Sequence, residues 1–215
     1  MIGILTFDYK NYAVLYFPNI HNNLRDLISQ MLHDSRCRDV EVEPGLLPVN
    51  PQNFKPSTNT QDEARLDIAA TGFISAFERT FFDVRVTHPN CDTNLFKPLS
   101  QLYSEHESEK KRTYEERVIE AEKGSFIPLV FSTSGGMGPL CRTFFKKLAH
   151  IIAEDNNERY EDVIHHLRVR TRYALLRSTL MALRGQRGRK LKKVDPISET
   201  SFNLIPEHYV QRVSV

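Results

Sequence analysis

Cysteine is scarce in this sequence, and long apolar runs are missing altogether. Its 215 residues hold three cysteines, Cys37, Cys91 and Cys141, odd in number, far apart and without a CxxC pair. That pattern excludes a disulfide framework and fits free thiols in a reducing compartment. No apolar run approaches the roughly 18–20 residues of a membrane-spanning helix. The opening MIGILTFDYKNYAVLYF lacks a basic n-region and carries Asp8 and Lys10 early, so it reads poorly as a signal peptide. There is no internal repeat. STSGGMGP, the most glycine-rich stretch, has neither the P-loop nor the GxGxxG pattern, which leaves it a strand-to-helix turn whose helix N-terminus is a secondary candidate for a phosphate contact. Acidic residues are absent from one segment: between His165 and Lys193 there are ten Lys or Arg and no Asp or Glu. Such a run is either a solvated helix face or a basic arm that follows nucleic-acid phosphates, and charge alone does not choose.

What is present suits a globular domain. The chain is 40% hydrophobic and 26% charged with a net charge of +2, long enough for one domain with a real core. Leu24, Leu27, Ile28, Met31 and Leu32 lie at helical spacing, which predicts a helix over about 22–35 with Asn22 as N-cap. RDVEVEP alternates as a short strand ending at Pro44, and the Pro-, Asn- and Ser-rich stretch 45–62 reads as a loop. A hairpin follows, with strands near 64–71 and 80–88. A charged helix is expected over about 99–122, with Leu102, Tyr103, His106, Lys110, Tyr114 and Val118 near one another on its surface and Gly124 as C-cap. SFIPLVFSTS is a buried strand, and LCRTFFKKLAHIIAE an amphipathic helix. A last helix, roughly 159–183, carries the basic run on one side and Leu167, Leu175, Leu176 and Leu180 on another. This order predicts an α/β fold, one mixed sheet flanked by helices, with a loose basic tail over 185–215.

Two residues sit badly in this pattern. Asp67 falls in the first hairpin strand and Asp83 in the second, each among apolar neighbours. Should both face one way, a hard divalent cation such as Mg²⁺ is the natural neutraliser, since it takes oxygen ligands and keeps several waters. Otherwise each carboxylate faces water or an arginine such as Arg65 or Arg85. Lys110 and Tyr114, four apart, project from one helix face. A lysine near a carboxylate-bound metal can polarise an attacking water or offset charge on a phosphorane-like transition state, and a tyrosine can donate to a phosphate oxygen. Glu43 is a possible third carboxylate. Ser132, Ser134 and Cys141 lack an evident His–Asp partnership, and His165–His166 point apart on a helix.

ARLDIAATGF, FFDVRVTHPN, HESEKKRTYEERVIEAEKGSFIPLVFSTSGGMGP and RTRYALLRSTLMALRG, in this order, resemble the restriction-endonuclease-like, PD-(D/E)XK-related domain at the C-terminal end of non-LTR retrotransposon polyproteins. The resemblance spans roughly residues 21–188. It implies a restriction-endonuclease-like fold over 21–184, metal ligation by Asp67 and Asp83, and a catalytic lysine displaced onto the following helix at Lys110, with Tyr114 at the outer position of the family pattern. It further implies Mg²⁺ or Mn²⁺ as cofactor, DNA as partner with element RNA as a second candidate, nicking of DNA as activity, and a nuclear or cytoplasmic setting. Arg85, Lys111, Arg168, Arg170, Arg172, Arg177 and Arg184 are the nucleic-acid-binding residues expected. The sequence departs from the family at Leu66, where a proline precedes the aspartate, at Arg85, where many relatives carry lysine, and at Thr113, where a basic residue is usual. HNN at His21–Asn23 resembles the family's His-Asn pair. The zinc knuckle before it has no cysteine here, and Tyr12 and Tyr16 stand near where a His and a Cys belong, so residues 1–20 read as a degenerate remnant and no zinc is expected. A catalytically inactive nucleic-acid-binding remnant is the alternative reading.

Overall fold

A computed structural model describes residues 13–91 and 93–184. The chain is mixed α/β: a four-stranded sheet with helices on both faces. The strands are β1 (Arg38–Val42), β2 (Ile68–Thr71), β3 (Arg79–Thr87) and β4 (Ser125–Ser132), in spatial order β1-β2-β3-β4. β1, β2 and β3 pair antiparallel, and β4 joins β3 in parallel. The helices are α1 (Ala13–His33), α2 (Leu99–Arg117), α3 (Pro139–Asn156) and α4 (Tyr160–Arg184). Among the described residues no helix is long and apolar enough to cross a membrane.

Alternation along β3 divides the interior. Phe82 and Val84 point into the larger core, where they meet Leu24, Ile28 and Met31 of α1, Phe144 and Leu148 of α3, and Leu167 and Leu175 of α4. Phe82, Phe73 and Phe144 form a ring cluster with centroids 5.1–5.3 Å apart, offset and edge-on as ring quadrupoles prefer. Phe81 points the other way, into a smaller cluster with Leu46, Ala64, Leu66, Ala69, Val118 and Phe126, against which Tyr114 packs. By the same alternation Asp83 faces the α2 side.

The loop over 43–66 has little regular structure, as its composition predicts, but α2 ties it down. The buried Arg117 guanidinium donates to the carbonyls of Leu47, Asn59 and Gln61 at 2.8–2.9 Å, and Glu116 accepts from the Thr58 hydroxyl at 2.6 Å. These contacts lay Leu46, Ala64 and Leu66 over the lower cluster.

Several expectations are corrected. α1 begins at Ala13, well before Asn22, which lies inside the helix and caps nothing. The apolar run before Asn22 carries the helix through Pro18 instead of starting after it. α2 ends at Arg117 and passes into a single wide π-turn over Val118–Glu122. Lys123, with φ 53°, takes the left-handed position expected of Gly124. Gly124 has a different reason to be glycine: a Cβ there would collide with the Arg79 carbonyl oxygen at the start of β3. On α4 the four leucines do not share one face. Leu167 and Leu175 are buried, whereas Leu176 and Leu180 are exposed. The tail expected over 185–215 and the remnant region up to Tyr12 lie outside the described residues, as does the side chain of Tyr16.

Candidate active site

Asp67 does not sit within a strand. It is the bend residue just before β2, where the Ile68–Phe82 pairing would next bring it opposite Asp83. The Asp67 side chain turns back and its Oδ2 accepts the Val84 amide at 2.6 Å, and β2 stops short of it. The same oxygen lies 3.1 Å from His21 Nε2, delivered by α1. A neighbouring carboxylate favours the charged imidazole, so the bond to Asp67 raises the His21 pKa against the opposing effect of burial. Asn22 Oδ1 approaches the other ring nitrogen at 3.2 Å and helps to orient the ring.

Asp83 occupies the middle of β3, and its side chain is only 7% exposed. The Lys110 amine reaches it from α2, 3.1 Å from Oδ1 and 2.9 Å from Oδ2. Only the approach to Oδ1 has hydrogen-bonding geometry, and Oδ2 is left buried without a hydrogen bond. Burial lifts the Asp83 pKa from its ordinary 3.8 to about 6, with Lys110 pulling it down and the Asp67 charge pushing it up. The mutual influence of Asp67, Asp83 and His21 marks one shared electrostatic environment.

Tyr114 lies one turn beyond Lys110. Its ring packs against Phe126 at 6.0 Å between centroids, and the Lys110 amine stands 5.6 Å from its centre. The ring therefore backs the lysine and closes the lower cluster. Arg85, two residues beyond Asp83 on the same strand face, reaches α2 and pairs with Glu109 at 3.0 Å. Lys111 pairs with Glu115 on its own helix at 3.3 Å. Neither Arg85 nor Arg65 faces an aspartate; the partners are His21 and Lys110. Glu43 comes close to Asp67 through its backbone, its amide donating to the Asp67 carbonyl at 2.9 Å, but its carboxylate turns to Arg25. Arg168 and Arg170 are half-buried on α4, Arg172 and Arg177 are exposed, and the side chain of Arg184 lies outside the described residues.

The comparisons stop short of a family. Neither a family model nor a curated protein matches the chain. The residues must therefore argue for themselves. Among the described residues no group of three or more His, Cys, Asp and Glu side chains is poised to hold a metal ion. The donor chemistry of Asp67 and Asp83 still suits a hard divalent cation, because Asp83 Oδ2 is a buried carboxylate oxygen short of a hydrogen bond and the second carboxylate adds to its excess of negative charge. Two protein oxygens with waters completing the shell is a common arrangement for Mg²⁺.

His21 is the residue of this cluster that pattern reasoning left out of the site. IHNN carried the signal, yet only the packing of α1 shows that the imidazole ends at Asp67. Glu107 is another. Buried on α2, it accepts the Leu140 amide at 2.9 Å and so fills the N-terminus of α3 with a protein carboxylate. The GGMGP turn thus presents its helix end to Glu107.

Proposed function

We propose that this chain is a restriction-endonuclease-like domain that cuts one strand of DNA with the help of Mg²⁺ or Mn²⁺ at Asp67 and Asp83. The observation that carries the reading is the buried Asp83–Lys110 pair: a carboxylate in the middle of a strand and an amine from the following helix, 2.9–3.1 Å apart, with a second aspartate at the adjacent hairpin position. Burial lifts the Asp83 pKa to about 6 even with the Lys110 ammonium beside it, and carboxylates perturbed in this way cluster at functional sites.

In this reading Asp67 and Asp83 would hold the metal, whose chemistry when bound is to polarise a phosphate oxygen and ease proton loss from water. Val84 N–H fixes the Asp67 carboxylate, and His21 holds it from the α1 side. Lys110, backed by the Tyr114 ring, offers a positive charge to the phosphate as negative charge develops on it. Arg85, Lys111 and the α4 arginines Arg168, Arg170, Arg172 and Arg177, with Arg184, would supply the field that draws in the DNA backbone. A DNA substrate is compatible with the nuclear or cytoplasmic setting that the resemblance implies.

A second reading is an inactive nucleic-acid-binding remnant. It is favoured by one observation, that Lys110 and His21 already engage both aspartates, leaving the cluster neutralised by protein groups alone. Nicking of supercoiled plasmid separates the two. The first reading expects cutting that requires Mg²⁺ or Mn²⁺ and disappears in Asp83→Ala. Equal cutting by wild type and Asp83→Ala marks a contaminant and defeats it. Salt-sensitive DNA binding without metal-dependent cutting selects the remnant.

A further inference from the structure

Helix α4 is apolar on two opposite faces, and the fold uses only one. Val163, Ile164, Leu167 and Leu175 are buried in the main core, with Thr171 and Ser178 buried between them. On the side turned about 180° away stand Val169, Tyr173, Leu176 and Leu180. They are exposed by 47%, 65%, 57% and 46%. Their spacing of four, three and four places all four within about 60° of arc, the seam by which one helix packs against another. Scattered exposed leucines need no explanation, but an ordered stripe opposite a buried face does.

The borders of the stripe say what it would accept. Arg170 and Arg177 line one side and Arg172 the other, with Arg168 beyond it. In heptad terms these arginines fill the positions that flank a seam and select a partner by charge. The acids of this helix, Glu161 and Asp162, are confined to its first turn, below the stripe. A second copy of the chain would set arginine against arginine along the seam. A phosphate backbone would satisfy the arginines but give the four apolar side chains no dry surface.

We propose that this outer face of α4 docks an amphipathic helix of a partner protein that carries apolar residues at heptad spacing between flanking Asp or Glu. The apolar seam lies away from Asp67 and Asp83, but its flanking arginines are those the nuclease reading gives to the DNA backbone, so a docked helix and DNA would compete for this face.

The test uses the full chain and two labelled synthetic peptides of about four heptads, both with Leu along the seam, one with Glu and the other with Lys at the flanks. Fluorescence anisotropy should show the Glu peptide binding at least about 10-fold tighter than the Lys peptide. The paired change Leu176→Ser and Leu180→Ser should abolish that binding while the circular dichroism spectrum and melting curve stay those of wild type. The paired change Arg172→Glu and Arg177→Glu, which sets two glutamates against the remaining Arg168 and Arg170, should cancel the preference by weakening the Glu peptide, a result that a merely sticky surface cannot give. Equal binding of the two peptides, or binding of neither, overturns the proposal. So does self-association in light scattering that the leucine changes abolish, which would make the occupant a second copy. Loss of duplex-DNA binding on the same leucine changes would make it nucleic acid, and would equally refute a helix partner.

Discussion

Asparagine at Asp83 should stabilise this protein at neutral pH, although the change removes one half of an ion pair. The Asp83 carboxyl has a pKa of about 6 when folded and 3.8 ordinarily. The native state therefore holds its proton more tightly than the unfolded chain does. For such a group stability is greatest below 3.8 and falls as pH rises towards 6. At about 1.36 kcal/mol per pH unit the full loss is about 3 kcal/mol, roughly half of it in place by pH 5. The attraction of Lys110 is already included in that pKa, so burial outweighs the pair. Urea unfolding of wild type and Asp83→Asn, in EDTA and at several values from pH 4 to pH 8, reads the difference. Near pH 4 the two should be close. By pH 8 the variant should gain about 2.4 kcal/mol relative to that starting point, since part of the full loss is already in place at pH 4. Carboxylates remote from the site cancel between the two proteins, whereas His21, whose pKa the Asp83 charge helps to raise, also contributes to the difference. A difference that stays flat with pH, or a variant that becomes the weaker as pH rises, means that the ion pair outweighs burial and the reasoning fails.

Removing the partner should act in the opposite direction. Lys110→Ala withdraws the charge that holds the Asp83 pKa down, so the carboxyl should titrate above 6 by carbon-13 NMR; an unchanged titration refutes the coupling. Glu107→Ala uncaps α3 and should destabilise by about 1–2 kcal/mol. Gly138→Ala should have a similar effect, since its Cβ would collide with Glu107 Oε1 while its backbone, φ −65° and ψ 165°, is open to any residue. The double variant should lose little more than either single one, and full additivity by urea unfolding would count against a shared contact. Arg117→Ala frees the 43–66 loop and leaves the carbonyls of Leu47, Asn59 and Gln61 without their donor, so about 3 kcal/mol should go together with hydrogen-exchange protection in that loop; retained protection refutes its role as the tie.

Periodicity read the elements of the sheet because each strand has a chemically distinct neighbourhood. The strands expected at RDVEV and SFIPLVFS are found as β1 and β4, although the irregularity between Arg38 and Glu41 breaks the alternation of β1 and leaves Val42 exposed. What failed were boundaries that depend on tertiary partners. The apolar neighbours of Asp67 in ARLDIAAT predict a strand through it, but the strand begins only at Ile68, and the Asp67 side chain takes the Val84 amide. Asp83 and Lys110 were visible as misfits of type, an acid in a strand and a lysine on its following helix. His21 was not, since nothing in a helical sequence tells which distant carboxylate its histidine will meet. Spacing does not separate the two faces of α4, because a leucine every three or four residues looks the same whether it points to one core or to opposite sides.

Pro128 lies in the interior of β4 at the register position opposite Asp83. The described sheet ends at β4 on one side and at β1 on the other, so each of these strands has a margin where another chain could add. Proline has no amide hydrogen and breaks any continuous row of donors along its strand. At the far margin, the ladder between Arg38 and Glu41 is interrupted, with Asp39 at φ 49° and charged side chains on most of β1. The two borders are thus poor templates for different reasons, one missing a donor and the other bent and charged. Strand addition between copies is discouraged at both, which should keep concentrated solutions of this protein from growing fibrils by sheet extension.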